Sequence, residues 1–278
     1  AKRGVLFTNA HCQGPICGPS RASLMTGMLP STTGQYNNSP HFREGKRLKN
    51  AVTLTQHFSK NGYKTFGVGK IFHGGHPDPE SFEVNGPRPG QGPTPDEKLS
   101  GPSGSKLWDW GIYLDSYEET HDYQSASWAI EKLNEPHEKP FFLAVGFYRP
   151  HVPMYAPKKW FDMYPLETVP LPQVLLNDRD DISEFAQNLA GDYAAPSHQW
   201  FIENNQWKHA VQSYLACVSF VDHQVGRLLD ALETTEYADN TVIVLFTDHG
   251  WHLGEKLHWR TFSIWEEATP NVMMRVAP

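Results

Sequence analysis

Four short stretches of this chain carry side chains that could handle an anion. Cys17 stands just ahead of Pro19-Ser20-Arg21-Ala22-Ser23-Leu24-Met25-Thr26-Gly27. Residues 19–25 read as a short helix, with proline suited to its first turn and Gly27 to its end. A cysteine placed there meets free backbone N–H groups, which favour negative charge. Arg21 follows one helical turn later. Lys70 and His73 come after one predicted strand, Arg149 and His151 after a second, and Asp248 and His249 after a third. A thiol or its derivative is a nucleophile. Arg and Lys meet anionic oxygens, histidines move protons, and an aspartate can ligate a hard cation.

The elements that must bring these groups together are legible in outline. Residues 51–60 read as a helix, with Leu54 and Phe58 on one face. Gly62 breaks it, and 63–68 reads as a strand. Residues 141–145 and 241–246 are continuous apolar runs, the first as expected of a buried central strand. Residues 122–133 read as helical. Val211, Tyr214, Leu215, Val218, Val221, Val225, Leu228, Leu229 and Leu232 recur at helical spacing. Strands alternating with helices predict an α/β protein, with a large, mostly parallel mixed sheet sandwiched between helices. Ligands of such sheets bind beyond the carboxyl ends of the strands. Three polar clusters at three strand ends therefore predict one shared site. Two stretches, 74–104 and 150–205, show no element pattern. Loops that long are commonly functional or mobile.

Composition narrows the classes. The chain has 278 residues, 39% hydrophobic and 20% charged, enough for one large α/β domain or two small ones. No apolar run approaches the roughly 20 residues of a membrane-spanning helix. The formal net charge of −7 excludes a basic nucleic-acid footprint, so cations for an anionic substrate must be concentrated locally. Three cysteines, Cys12, Cys17 and Cys217, do not make a disulfide framework. Cys217 falls in a helical pattern as a small core residue. The chain opens on a strand-like run at Val5 without an initiator Met and stops on another at 273–278. Residues 1–278 thus read as a catalytic domain truncated at both ends.

Cys17-Gly18-Pro19-Ser20-Arg21, with Thr26-Gly27 in register, resembles the type I sulfatase signature, C-x-P-S-R followed by x-x-x-(L or M)-T-G. Gly67-Val68-Gly69-Lys70-Ile71-Phe72-His73, Arg149-Pro150-His151-Val152-Pro153 and Asp248-His249-Gly250-Trp251 resemble later segments of that family. They are most similar to its iduronate 2-sulfatase-like and related bacterial members.

The resemblance implies an alkaline-phosphatase-like sulfatase fold. It also implies that Cys17 is oxidised to formylglycine by a formylglycine-generating maturation enzyme. One hydroxyl of the hydrated aldehyde would attack sulfur, and the other would release sulfate. Arg21 would orient the diol, and Lys70 would contact sulfate oxygens. His73 would take a proton from the nucleophile. His151 would bind substrate or protonate the leaving group. Asp248, with residue 17 and the less secure His249, would hold a calcium ion. His252, Lys256 and His258 would meet a sugar carboxylate. The implied substrate is a sulfated acidic sugar or polysaccharide, best a 2-O-sulfated uronate. The implied compartment is periplasmic, secreted or lysosomal.

Two departures stand out. The family's upstream Asp-Asp metal segment would precede Ala1, and its C-terminal subdomain would follow Pro278. Thr261 occupies the place of a family lysine that contacts sulfate. The alternatives are a phosphonate monoester or phosphodiester hydrolase on the same scaffold, and a sulfated-glycan-binding protein without catalysis.

Overall fold

The structure, a computed structural model, describes residues 4–74, 78–87, 90–105, 107–114, 116–190 and 194–278. Residues 75–77, 88 and 89 of the first long loop, and 191–193 of the second, lie outside the described residues. The strands are β1 (Val5–Phe7), β2 (Lys64–Gly69), β3 (Val84–Asn85), β4 (Trp110–Ile112), β5 (Phe141–Gly146), β6 (Met154–Ala156), β7 (Ile243–Phe246), β8 (His252–Leu253), β9 (Trp259–Arg260) and β10 (Met273–Val276). The helices are α1 (Cys17–Thr26), α2 (Pro30–Thr33), α3 (Leu54–Lys60), α4 (His121–Leu133), α5 (Lys158–Phe161), α6 (Glu184–Ala190), α7 (His198–Glu203) and α8 (Trp207–Glu233).

The fold is mixed α/β, as expected. β2 lies between β3 and β5, parallel to both. Its register with β5 runs from Lys64 opposite Phe141 to Gly69 opposite Gly146, so both strands end level. β10 lies between β1 and β7, antiparallel to both. Among the described residues the sheet structure is thus two three-stranded sheets, one parallel and one antiparallel, with two small pairs, β4–β6 and β8–β9.

Burial differs from the sequence expectation at the apolar strands. β5 is half-buried throughout. In β7, Val244, Leu245 and Phe246 are largely exposed, as are all three residues of β1. An unbroken apolar run reports that both faces of a strand can be covered. It does not report that neighbouring residues cover them.

The main core lies elsewhere. α8 packs against α4, α5, β4 and β6. Its Ala210, Val211, Ala216, Cys217 and Phe220 join Trp108, Trp110, Met154, Trp160, Phe201 and Trp259 in one cluster. Phe201 and Trp259 stack at 3.7 Å. Each such side chain, fully buried, contributes about 1.5–3 kcal/mol through the hydrophobic effect. All three cysteines are free, and Cys217 is the small core residue its spacing predicts. No helix of the described residues is long and apolar enough to cross a membrane.

Local signals explain the boundaries. α3 starts at Leu54 rather than 51 because Thr53 caps it. The Thr53 hydroxyl accepts from Gln56 N at 3.3 Å, and the Gln56 side chain accepts from Thr53 N at 3.0 Å. α1 ends where Gly27 takes φ 67°, a left-handed value that suits glycine. The stretch 150–205 holds β6, α5, α6 and α7, each seven residues or fewer. Elements so short hold little periodicity to read.

The first long loop is clamped by a buried carboxylate. Asp109 Oδ1 accepts from Ser100 N at 2.8 Å and Gly101 N at 2.7 Å. Its Oδ2 accepts from Leu99 N at 2.9 Å and from the Tyr155 hydroxyl. Burial pushes the Asp109 carboxyl up, but the Tyr155 bond and the three amides outweigh it and hold the group below its usual range. A carboxyl depressed in the folded state binds more protons when unfolded. Its stabilisation is therefore complete above the unfolded value of about 3.9 and is lost as pH falls through the folded value. Asp109→Asn should cost about 1–3 kcal/mol at neutral pH and flatten the acid limb of stability against pH. Denaturant titrations from neutral to acid pH check this, and parallel acid limbs for the two proteins would refute it.

Candidate active site

Cys17 is the first residue of α1 rather than the residue before it, and it is buried. Gly18 N in the same first turn donates to Asn38 Oδ1 at 2.8 Å. A side chain at Gly18 would meet that oxygen at 2.9 Å and Asn37 O at 3.0 Å, so the helix start is fitted tightly against residues 37 and 38.

The level ends of β2 and β5 put Lys70 and the 147–153 loop side by side. Lys70 N donates to Gly146 O at 2.7 Å. A side chain at Gly69 (φ 75°) would meet Gly146 O at 2.0 Å, and one at Gly146 would meet Lys70 O at 2.2 Å. Only glycines allow this approach. Lys70 Nζ then lies 3.7 Å from Cys17 Sγ and 4.7 Å from the centre of the Tyr148 ring.

β7 delivers the third group. His249 Nε2 is 3.2 Å from Cys17 Sγ and 3.4 Å from Asp248 Oδ2. Its Nδ1 is 2.9 Å from Gly250 O, so that nitrogen donates. His151 Nδ1 likewise donates to Val152 O at 2.6 Å. His151 and His73 both lie near enough to the Cys17 sulfur to help lower its thiol pKa. The structure therefore brings Cys17, Lys70, His73, His151, Asp248 and His249 into one cluster.

Arg21 ties the cluster to both sheets. Its Nε donates to Asp248 Oδ2 at 2.8 Å, beyond β7. Its Nη1 donates to Lys70 O, and to Ile71 O at 3.0 Å, beyond β2. Ser20 Oγ donates to Asp248 O. Arg21 is thus a strut under the site.

Charge is concentrated as the sequence required. Burial opposes ionisation of Cys17, but Lys70 and the bonds from His151, His249 and His73 outweigh it and hold the thiol well below its usual range. Burial likewise opposes charge on Asp248, yet Arg21 and then His249 keep it depressed. Burial would lower His249, but Asp248 and Cys17 raise it. His151 is held low by burial and by Lys70. Arg21 and Lys70 thus place two cationic side chains beside Asp248 and Cys17 in a chain of net charge −7.

Cys17, Asp248 and His249 offer ligand atoms within 4.8 Å of one another. Asp248 Oδ2 is engaged by Arg21, which leaves Oδ1 for a cation. A hard divalent ion takes six to eight oxygens. The described residues fit one corner of such a site, with Asp248 as its carboxylate.

The three residues expected to meet a sugar carboxylate are bonded to groups outside this cluster. His252 is fully buried, with Nε2 2.8 Å from Ser263 Oγ and Nδ1 3.2 Å from Glu255 O. Burial, then neighbouring His258, pushes it down to about 3. His258 is buried against Thr261 O and Ala190 O. Lys256 Nζ pairs with Asp178 Oδ1 at 2.7 Å. Thr261 is buried, and Arg260 beside it lies over the Phe262 ring at 5.5 Å.

Asp122 is a site residue that the sequence did not disclose. It is buried in the first turn of α4 and accepts from Tyr148 N at 2.6 Å and Arg149 N at 3.0 Å. It holds the His151 loop from 26 residues away. Asp122→Ala leaves two buried amides unpaired and should cost about 1–3 kcal/mol for each. Turnover should fall further than the change in thermal midpoint implies. A variant destabilised but fully active at low temperature would contradict that link.

A buried thiol at a helix start, with cations around it and a carboxylate beyond β7, sits in an alkaline-phosphatase-like fold. The sulfatase family model matches residues 1–274, and the chain belongs to the sulfatase family. It is 42% identical over 293 residues to a sulfatase of Formosa agariphila, covering all of this chain and 58% of that protein. It is 36% identical over 292 residues to human iduronate 2-sulfatase, covering 97% of this chain and 52% of that one. The chain thus spans little more than half the length of these relatives. Among solved structures it resembles the phosphonate monoester hydrolase of Agrobacterium radiobacter, with TM-score 0.75 and 18% identity over 99% of this chain and 61% of that one.

Proposed function

We propose that this chain carries the catalytic centre of a sulfuric ester hydrolase acting on a sulfated acidic sugar, with 2-O-sulfated uronate the favoured substrate. The observation that carries the reading is the convergence of Lys70 Nζ and His249 Nε2 on a buried residue 17 at the start of α1, with Arg21 one turn on. The sugar rests on the similarity to iduronate 2-sulfatase. Net hydrolysis breaks the S–O bond to the sugar and adds water, giving the free hydroxyl and hydrogen sulfate.

Formylglycine at residue 17, as its hydrate, supplies a hydroxyl nucleophile and a second hydroxyl for release. The other steps belong to this chain's own groups. Lys70 Nζ holds the sulfate oxygens, an interaction worth on the order of 10²–10³-fold in rate. His73 accepts the proton that the nucleophile gives up. His151, pinned through its Nδ1–H, presents the Nε2 lone pair to the site, where it accepts a hydrogen bond from the substrate. Asp248, with His249 and residue 17, would hold a calcium ion that neutralises negative charge. A separate maturation enzyme supplies the oxidation of Cys17, and an exported or lysosomal setting suits a sulfated polysaccharide.

A second reading, phosphonate monoester or phosphodiester hydrolysis, is favoured by the fold shared with the Agrobacterium enzyme. The test matures the full-length protein with a formylglycine-generating enzyme and calcium. It then measures sulfate and phosphate released from sulfated uronate disaccharides and from matched aryl sulfate and phosphate esters. Predominant sulfate release supports the proposal. Predominant phosphate release moves the chain to the second reading. Glycan binding without turnover, with the aldehyde confirmed by mass spectrometry, makes it a binding protein.

A further inference from the structure

We propose that Tyr148 is a positioning residue whose ring holds the Lys70 ammonium beside residue 17 and leaves its charge for the anion. The inference deepens the reading above and rests on the role given there to Lys70.

Lys70 follows β2 and is 4% exposed. Its ammonium ends a flexible four-carbon stem, and a charge so buried needs a partner. The carboxylate of the site, Asp248, pairs with Arg21. Lys70 Nζ lies instead 3.7 Å from Cys17 Sγ and 4.7 Å from the centre of the Tyr148 ring, over its face. Oxidation of residue 17 to the aldehyde removes the sulfur and its negative charge. Of these two contacts, the ring is the one that remains.

A ring and a carboxylate hold an ammonium differently. A carboxylate cancels the charge and takes up its N–H groups. The negative face of a ring attracts the cation but is only a weak acceptor. The ammonium keeps its charge and its three donors for sulfate oxygens. The Tyr148 ring is itself well placed for this. Tyr148 N donates to Asp122 Oδ1 at 2.6 Å, and Tyr148 O accepts from His151 N at 3.2 Å. The ring meets the His151 imidazole with centres 5.0 Å apart and planes at 60°. Arg149 is the farther cation, with Cζ 5.7 Å from the same ring centre, and it spends Nε and Nη2 on Tyr155 O and Gln91 O.

Packing alone could also place an aromatic side chain here, so the test varies the charge on the ring at nearly constant shape. It uses full-length protein carrying Cys17→Ala, with calcium, and inorganic sulfate as the probe. Position 148 holds tyrosine, phenylalanine, or phenylalanine with one, two or three ring fluorines, which draw charge from the face. Calorimetry reads sulfate affinity. Tyr148→Phe should bind sulfate within about twofold of the parent, since the face is kept. Each fluorine should weaken binding, reaching about 5–30-fold for the trifluorinated ring, and Tyr148→Leu should lie at that end. With Lys70→Met, binding should be weak or absent and show no slope, because the ring then has no ammonium to hold. A flat series with Lys70 present, a sloping series without it, or no sulfate binding by the parent overturns the proposal. Sulfate release by the matured protein is measured separately. Release together with a flat series defeats this inference alone. A sloping series without release defeats the reading of function alone.

Discussion

Cys17→Ala is expected to reduce sulfate release by about 10⁴-fold or more while leaving the fold intact. The residue is small and buried at a helix start, and alanine fits that place with no new polar atom. What disappears is the proposed nucleophile, the side chain that Lys70 and His249 approach. Groups that act as a unit lose nearly all their effect when one is removed. Cys17→Ser gives a sharper outcome. A serine hydroxyl can take sulfate from the ester but has no second hydroxyl to expel it. Mass spectrometry should find one sulfate per chain after a single turnover, followed by arrest. Continued turnover by the serine variant would show that release does not depend on a second hydroxyl.

Arg21→Met should destabilise the protein by about 3–5 kcal/mol, because it strands a buried carboxylate. The Arg21–Asp248 pair is 2.8 Å long, with both side chains less than one-fifth exposed. Removing the guanidinium also frees the Lys70 and Ile71 carbonyls. For a chain of this size, that loss corresponds to roughly 10 °C in thermal midpoint. Arg21→Lys should recover little, since one ammonium cannot reproduce a planar fork that serves a carboxylate and two carbonyls. Calorimetry of the three proteins decides the matter. A lysine variant that melts with wild type would show that charge alone suffices.

The candidate site was legible where its determinants are local. Cys17 and Arg21 sit within one helical turn, and the proline and glycine around them mark the helix on the page. Lys70, His151 and Asp248 were found because each follows an apolar run, and runs end where loops begin. What could not be read is what reaches across the chain. Asp122 acts on a loop 26 residues on, and Asn38 meets Gly18 from 20 residues away. Both look like ordinary polar residues in sequence. The pairing of β2 with β5, and of β10 with β1 and β7, depends on register that no single strand contains. The surroundings of His252 and His258 were equally hidden: they follow Asp248 closely in sequence, yet both are buried, against Ser263 and Glu255 for the first and Thr261 and Ala190 for the second. The family assignment agrees with the motif, and the roles of individual residues are what the variants above test.

Asp122 grips the His151 loop by two main-chain amides and touches none of its side chains through those bonds. The backbone of the loop is therefore held from α4, while its side chains are committed elsewhere: Tyr148 packs under Lys70 and against His151, and Val152 is buried in the main core. A change in this loop is thus felt twice, once at the cations of the site and once in the core behind it.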